Sequence, residues 1–199
     1  MIFRERLKFF RNAVGDSNVG AVTMSSTYVI RAVLRSLPRG ATTLVEHGPG
    51  TGVLTRLLLN RLPPEGRLYA IERSPAFVAH LGRIRDPRLR VIAQSAEDLD
   101  YDALGIKGGV DAVVSSIPFS FVSPDNRRRI VGLAHDALRA GGVLAVFHQY
   151  TLLMRSYIGE RFPAVRLTFE PRNLLPCFIM HATKEGGGSR SLARWSGKS

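Results

Sequence analysis

A short run of glycines behind one acidic residue offers the clearest chemistry in this sequence. Glu46 is followed by Gly48, Gly50 and Gly52 at alternate positions, directly before an apolar stretch with helical spacing. Because glycine carries no Cβ, the backbone amides of such a loop can approach a ligand closely at the amino end of a helix. A nicotinamide dinucleotide fingerprint would require its third glycine or alanine at the position of Val53. The pattern therefore predicts a cofactor loop of another kind.

A second carboxylate ends the next predicted strand. Glu72 follows the loop by roughly 20 residues, the place from which an acid accepts both hydroxyls of a ribose. The order acidic-x-Gly-x-Gly-x-Gly resembles the first motif of methyltransferases that use S-adenosylmethionine (SAM). That resemblance implies that Glu46 contacts the methionine amino end through the polar network of the site. These two strand ends, together with that of the third predicted strand, predict SAM as the cofactor.

The third predicted strand ends at Ser95, where such enzymes often carry an aspartate that contacts the adenine amino group. Ser95 can itself accept a hydrogen bond, and Glu97 or Asp98 are the alternatives for this contact. We expect the cofactor to contact Glu46, Gly48, Gly50, Thr51, Gly52, Glu72, Arg73, Ser95, Ala96 and Ser115.

The methyl acceptor is expected at the end of the fourth predicted strand. Ser116, Pro118 and Phe119 stand where amine methyltransferases place Asn/Asp-Pro-Pro-aromatic or a relative. Methyl transfer from a sulfonium needs a neutral amine lone pair in line and at close range. Backbone carbonyls near Ser115 and Ser116 are expected to orient the amine hydrogens, and Phe119 to lie against the cationic product. The alternative for Phe119 and Phe121 is packing beneath the sheet.

The fifth predicted strand ends with His148 and Tyr150 on one face, near the carboxyl ends of the other strands. Either side chain is a candidate to orient the amine or to relay its proton. The alternative is that they are structural residues, which is the more common role of a lone histidine.

Strand and helix patterns alternate along the chain, as in a doubly wound α/β fold. Short β-branched or apolar runs predict strands at residues 43–47, 67–72, 89–93, 111–115, 142–149, 165–170 and 177–182. Helical spacing predicts helices at 52–62, 75–84 and 125–140, and one from Ser25 or Ser26 to Pro38. We expect a Rossmann-like, seven-stranded, mostly parallel sheet with one antiparallel edge strand.

Size and charge limit the possibilities further. The 199 residues, 45% of them hydrophobic, suit one packed domain with short additions. A formal net charge of +12 favours a polyanionic partner, either nucleic acid or an anionic membrane. The single cysteine, Cys177, allows no internal disulfide, and no apolar stretch approaches the length of a membrane span. We expect a cytoplasmic protein without a metal, soluble or peripheral to the membrane.

Residues 1–14 predict an amphipathic helix whose apolar face includes Phe3, Leu7 and Phe10. The opposite face carries Arg4, Lys8 and Arg11, a pattern typical of an interfacial membrane anchor. Packing on the chain's own domain is the alternative and is more common for an arbitrary amphipathic helix. The methyltransferase domain is expected over residues 15–185. Residues 186–199, rich in Gly, Ser and Arg, are expected to form a disordered basic tail.

Several segments together resemble bacterial phospholipid N-methyltransferases, which convert phosphatidylethanolamine stepwise to phosphatidylcholine. The resemblance extends from Phe9 to Ala182, and its marks are residues 19–26, 46–53, 70–72, 116–118 and 172–176. It implies that the N-terminal helix binds the inner face of the cell membrane and that Arg172 and Asn173 serve the lipid substrate. Ser95 and the turn containing Phe119 and Phe121 depart from the family pattern. Related enzymes methylate ornithine lipids.

Two other classes of function remain possible on sequence alone. An RNA adenine dimethyltransferase shares the glycine loop, the Pro-aromatic turn and the basic surface. Ser116 stands where those enzymes usually have Asn, and the segment after Lys184 is expected to hold no helical RNA-binding domain. A noncatalytic membrane-surface or nucleic-acid-binding protein with a decayed cofactor fold is the other alternative. Glu46, the three glycines and Glu72 argue against decay.

Overall fold

One seven-stranded sheet organises the protein, whose structure is a computed structural model that describes residues 27–149, 151–172 and 177–186, without the side chains of residues 148 and 149. The strands are β1 (Thr43–His47), β2 (Arg67–Ile71), β3 (Leu89–Ile92), β4 (Val110–Ser115), β5 (Leu138–Gln149), β6 (Val165–Glu170) and β7 (Cys177–Thr183). The helices are α1 (Thr27–Ser36), α2 (Val53–Arg61), α3 (Pro75–Leu81), α4 (Pro124–Ala137) and α5 (Met154–Gly159).

The strand order is β3-β2-β1-β4-β5-β7-β6. Neighbouring strands are parallel except at β7, which runs antiparallel to both β5 and β6. Strands β1 to β6 therefore all end at one edge of the sheet, called here the carboxyl edge. In open α/β sheets the ligand site forms outside the carboxyl ends of the strands.

The core lies in two layers, one on each face of the sheet. On one face, the apolar sides of α1 and α2 cover the sheet with residues such as Val33 and Leu58. On the other face, α4 and α5 contribute Ile130 and Met154 among others. Every residue of β4 is buried, as the central strand of a sheet covered on both faces requires.

The predicted fold is confirmed, with local differences: helix α5 was not predicted, and one connection is shorter than expected. Helix α4 ends at Ala137 and passes directly into β5, so Leu138 and Arg139 belong to the strand rather than to the predicted helix. Asp111 explains this early start, because its carboxylate accepts hydrogen bonds from Arg139 Nε at 2.6 Å and from the amide of Thr43 at 2.8 Å. These contacts tie the beginning of β5 to the beginnings of β4 and β1. The antiparallel strand β7 lies second from the edge, with β6 outside it.

Within the described residues, no helix combines the length and the apolar character needed to cross a bilayer. The predicted N-terminal helix and the predicted basic tail lie outside those residues, apart from residue 186 at the start of the tail.

Candidate cofactor and acceptor site

The glycine loop joins the carboxyl end of β1 to the amino end of α2. Gly48, Gly50 and Gly52 all have positive φ, at 72°, 54° and 75°. At Gly52 a Cβ would also meet Leu81 Cδ2 at 2.9 Å, so a larger residue would meet both backbone strain and a clash. The three glycines thus form a sharp turn between β1 and α2, and their own amides donate to the carbonyls of Ile71 and Pro49 and to the carboxylate of Glu72.

Glu46 is the buried next-to-last residue of strand β1, just before the glycines. One of its carboxylate oxygens, Oε2, accepts a 2.7 Å hydrogen bond from Thr55 Oγ1, while the other, Oε1, is buried without a partner. Burial raises the pKa of this carboxyl to about 7, although the Thr55 hydrogen bond lowers it. A positively charged amino group would supply the missing hydrogen bond and favour the ionised carboxylate. The methionine end of SAM carries such a group, so Glu46 fits the predicted contact.

Glu72 connects the loop after β2 with the glycine loop. Its Oε2 accepts a hydrogen bond from the amide of Gly50 at 3.2 Å, and its Oε1 accepts one from the amide of Ser74 at 2.8 Å. A carboxylate offers about four lone-pair positions, so both oxygens keep capacity for further donors. The side chain is buried but lies between two loops of the carboxyl edge. This arrangement suits the predicted acceptance of two ribose hydroxyls.

The candidates for the adenine contact follow the end of β3, at or directly before a single turn of 3-10 helix, Ala96–Asp98. Ser95 precedes this turn and is partly exposed, while Ala96 is buried in the core. The carboxylate of Glu97 is directed toward α4, where Asn126 Nδ2 donates to its Oε1 at 3.4 Å. Asp98 has an exposed side chain. Ser95 therefore remains the candidate with a side chain at the loop itself.

The end of β4 lies directly beside the glycine loop. The amide of Ser116 donates to the carbonyl of His47 at 3.0 Å, and its hydroxyl donates to the carbonyl of Gly48 at 2.7 Å. Since that hydroxyl uses its single hydrogen in this bond, its oxygen lone pairs are left to accept hydrogen bonds from an amine. Ser115, one residue earlier, is buried, and its Oγ has no partner. The end of β4, where the acceptor is expected, therefore lies beside the glycine loop.

The structure corrects the role predicted for Phe119. Its side chain is completely buried in the core, in a 3-10 turn (Phe119–Phe121) that also places Phe121 at the surface with 47% exposure. Arg127 holds this turn by donating from Nε to the carbonyl of Phe119 at 3.0 Å. Phe119 therefore stabilises the fold beneath the acceptor turn and does not lie against the product. The reason is that the turn packs on α4, which buries the ring. Pro118 is exposed at the carboxyl edge.

Comparisons with known proteins agree with this geometry. A family described as a methyltransferase domain matches residues 44–142, from β1 into β5. The N-methyltransferase NodS from Bradyrhizobium japonicum superposes with a TM-score of 0.65 at 13% identity, covering 79% of this chain and 95% of that one. Its complex with S-adenosyl-L-homocysteine superposes with a TM-score of 0.62 at 14% identity, covering 79% and 86%. The chain is a class I SAM-dependent methyltransferase.

Two groups of relatives align with this methyltransferase over different lengths. An ornithine lipid N-methyltransferase from Singulisphaera acidiphila is 25% identical over 173 residues, which cover 85% of this chain and 88% of that protein. The ribosomal RNA small subunit methyltransferase A of Cupriavidus taiwanensis is 34% identical over 97 residues, which cover 48% of this chain and 34% of that protein. The methyltransferase thus matches about a third of the length of this second kind of relative.

Some predicted site residues of the methyltransferase have defined places and others do not. Thr51 and Arg73 are exposed in the loops after β1 and β2. Arg172 follows β6 and binds Glu170 through two hydrogen bonds, of 2.7 Å to Oε1 and 2.8 Å to Oε2. The backbone of His148 pairs with Phe178 at the end of β5, but its side chain is not described. The other predicted site residues lie outside the described residues: Phe3, Arg4, Leu7, Lys8, Phe10, Arg11, Tyr150 and Asn173.

The methyltransferase also uses residues that sequence reasoning missed. Thr55 holds Glu46, and the only sequence signal for it is one polar residue on the buried side of an otherwise leucine-rich helix. His47 is buried, and its Nε2 lies 2.8 Å from the Tyr101 hydroxyl, while its Nδ1 has no partner. Burial lowers the pKa of His47 to about 4, so this ring is neutral at physiological pH. The distant Tyr101 gave no local signal for this pair.

Proposed function

We propose that this methyltransferase transfers methyl groups from SAM to the primary amine of a membrane phospholipid, stepwise from phosphatidylethanolamine toward phosphatidylcholine. The observation that carries the proposal is the extent of its similarity to a lipid N-methyltransferase. That similarity covers 85% of this chain and 88% of the relative, and so includes the parts outside the cofactor-binding half. The similarity to the ribosomal RNA enzyme covers only 48% of this chain.

The acceptor turn has chemistry that suits an amine. When bound, SAM supplies a sulfonium methyl group: as the amine lone pair forms the new N–C bond, the C–S bond breaks, S-adenosyl-L-homocysteine leaves, and the amine gives up one proton. Hydrogen bonds from the hydrogens of a neutral amine orient its lone pair, and the lone pairs of Ser116 Oγ can accept such a hydrogen. The hydroxyl is itself fixed by its 2.7 Å bond to the carbonyl of Gly48. The amine would therefore be oriented from a position next to the cofactor loop.

The proposed substrate also accounts for the charge of the chain. A net charge of +12 attracts an anionic membrane surface, with roughly 1 kcal/mol for each Lys or Arg near it. The predicted amphipathic helix of residues 1–14 would add burial of its apolar face. We propose peripheral association with the inner face of the cell membrane, which should weaken as salt rises.

Two further acceptors are favoured by specific observations. An ornithine lipid carries a primary amine, and the relative aligned over most of this chain is named for that substrate. Adenine in RNA is the second, since the RNA-modifying relative is 34% identical over the 97 residues that it shares with this chain. Ser116 speaks against adenine, because enzymes of that kind usually carry Asn there.

Methyl-labelled SAM supplied with separate acceptors distinguishes these substrates. Vesicles containing phosphatidylethanolamine, vesicles containing ornithine lipid, and ribosomal RNA would each be incubated with the full chain, with the Glu72→Ala variant as the inactive control. We expect label in mono-, di- and trimethylated phosphatidylethanolamine. The same lipids should appear when the protein is expressed in a bacterium that lacks phosphatidylcholine. Bound SAM without any methylated lipid would refute the proposal.

A truncated protein tests the proposed anchor separately. Removing residues 2–14 should release the protein from anionic vesicles in a sedimentation assay, while SAM binding by calorimetry stays unchanged. Unaltered sedimentation with vesicles would show that this segment is not the anchor.

A further inference from the structure

The large hydrophobic residues that the described part of the chain exposes are not scattered over its surface. Apart from Leu167, in the middle of β6, they all lie at the carboxyl edge: near the end of a strand, in a loop after a strand, or in the first turn of a helix that begins there. They are Tyr28, Val53, Phe121, Leu152 and Phe169, with exposed fractions of 37% to 51%. Single exposed apolar residues are common on proteins, but their concentration at one end marks an interaction surface.

One flank of this edge, near β5 and β6, is the most apolar. Phe169, near the end of β6, is 51% exposed and stacks on Phe178 with the ring centroids 5.0 Å apart. Leu152 lies between the end of β5 and the start of α5. Tyr28, in the first turn of α1, is covered on one side by the Arg172 guanidinium, 4.2 Å from its ring centroid. We call Tyr28, Leu152 and Phe169 the apolar rim.

Among the described residues, the exposed charges beside the apolar rim are positive. Residues 27–34 and 151–159 contain no acidic residue, and they carry Arg31 and Arg155 with exposed side chains. The one carboxylate in β6, Glu170, is buried and bound by Arg172, whose hydrogen bond holds the pKa of Glu170 down at about 2. The exposed acids of the carboxyl edge, Asp98 and Asp125, lie on the other flank, beside β3 and α4.

We propose that the apolar rim is a docking surface for an anionic bilayer, and that it sets the carboxyl edge of the sheet against the lipid headgroups. This inference deepens the proposed function, since a headgroup amine reaches the cofactor loop only if that end of the domain faces the membrane. It adds a contact within the folded domain to the N-terminal segment.

A bilayer fits this surface better than RNA does. Aromatic and aliphatic side chains surrounded by arginine are the composition that binds at a membrane interface, where apolar burial and attraction to anionic headgroups add. RNA phosphates would reward the arginines alone and leave Leu152 without a partner. Phe169 could stack on a base, so RNA binding is included in the test.

The test uses the full chain and vesicles of phosphatidylglycerol mixed with phosphatidylcholine. One variant carries Leu152→Asp and Phe169→Asp, and a second carries Arg155→Glu. The matched control is Arg39→Glu, which makes the same charge change at an exposed position beyond the opposite edge of the sheet. Thermal unfolding checks that each protein is folded. Methylation of a short-chain phosphatidylethanolamine dispersed as monomers reports the chemistry without a membrane.

We expect the double variant to bind vesicles at least about tenfold more weakly, and Arg155→Glu about tenfold more weakly at low salt. Arg39→Glu should bind more tightly than both, and all folded proteins should methylate the monomeric lipid at similar rates. Unchanged vesicle binding in both rim variants would overturn the inference, as would an equal loss in Arg39→Glu, or a wild-type chain that binds RNA but no vesicles. Failure of the proposed function would give a different result. In that case the wild-type chain binds SAM but methylates neither phosphatidylethanolamine nor ornithine lipid, whether or not it binds vesicles.

Discussion

The two halves of the carboxyl edge are built in different ways. In the cofactor half, at the ends of β1 and β2, polar groups are fixed by short hydrogen bonds, such as those of Glu46 with Thr55 and of Glu72 with Ser74. In the acceptor half, at the ends of β4 to β6, one serine hydroxyl is held against the glycine loop, and much of the rest is apolar.

This difference reflects what each half must recognise. A cofactor of constant structure can be held by carboxylates and backbone amides at fixed spacing. An acceptor on a membrane lipid presents one amine while its apolar body stays in the bilayer, so a few polar groups for the amine beside a surface that docks on the bilayer suit it better. The cofactor half should therefore respond to single polar substitutions mainly in SAM affinity, and the acceptor half mainly in turnover or fold stability.

The largest effect is expected in the cofactor half, from Glu72→Ala. The change removes the carboxylate predicted to accept two ribose hydroxyls, and hydrogen bonds to charged groups contribute about 1.5–3 kcal/mol each. The affinity for SAM measured by calorimetry should fall at least about a hundredfold, so that binding is barely detectable or not detectable. Glu65→Ala, at an exposed position just before the same strand, serves as the control. Wild-type affinity in Glu72→Ala would refute the ribose assignment.

Phe119→Ala should show that this residue of the acceptor turn acts through packing. Because its ring is completely buried, truncation should lower the free energy of unfolding by about 3–5 kcal/mol, measured by denaturant titration. Phe121→Ala, two residues away with an exposed ring, should change it by no more than about 0.5 kcal/mol. Equal effects of the two substitutions would contradict the packing role assigned to Phe119.

The same contrast explains what the sequence could predict. The glycine loop, the place of Glu72 at a strand end and most of the strand bounds followed from local spacing, because a strand end, a tight turn and a helix start each have a short sequence pattern. The role predicted for Phe119 was wrong. Phe119 is buried and Phe121 is exposed because of how their turn packs against α4, and local sequence does not reveal that packing. The hydrogen bond from Thr55 to Glu46 and the pairing of His47 with Tyr101 depend on tertiary packing, for which the sequence carries no local mark. The start of β5 was missed for the same reason, because the contact between Arg139 and Asp111 is long-range.

Glu46 sharpens the comparison through pH. Burial raises the pKa of Glu46 to about 7, so the carboxyl group of the free protein is mainly protonated below that pH. A bound ammonium group would favour the carboxylate. SAM affinity should therefore rise as pH increases from about 6 to about 8, and this dependence should disappear in Glu46→Gln, which binds SAM about tenfold more weakly at the upper pH. Calorimetry at several pH values measures both. A wild-type affinity that does not change with pH would contradict the assignment.

Protein stability without SAM gives an independent check on Glu46. A carboxyl group whose pKa is raised on folding stabilises the folded state most below its ordinary value of 4.5, and this contribution is lost as pH rises through about 7. Between about pH 5 and pH 8 the wild-type Tm should therefore fall relative to that of Glu46→Gln. Parallel Tm curves would show that Glu46 does not titrate in this range.

The smallest effect is expected from Ser116→Ala, and it is the one that separates the two halves most directly. The substitution removes the hydroxyl whose lone pairs are proposed to accept an amine hydrogen, so kcat for lipid methylation should fall about tenfold, the equivalent of one hydrogen bond. SAM affinity should change by less than about threefold, because the amide of Ser116 still donates to the carbonyl of His47. Ser120→Ala, an exposed position in the same turn, should leave both quantities unchanged. If Ser116→Ala instead weakened SAM binding and left kcat intact, Ser116 would belong to the cofactor half, and the amine would have to be oriented from the end of β5.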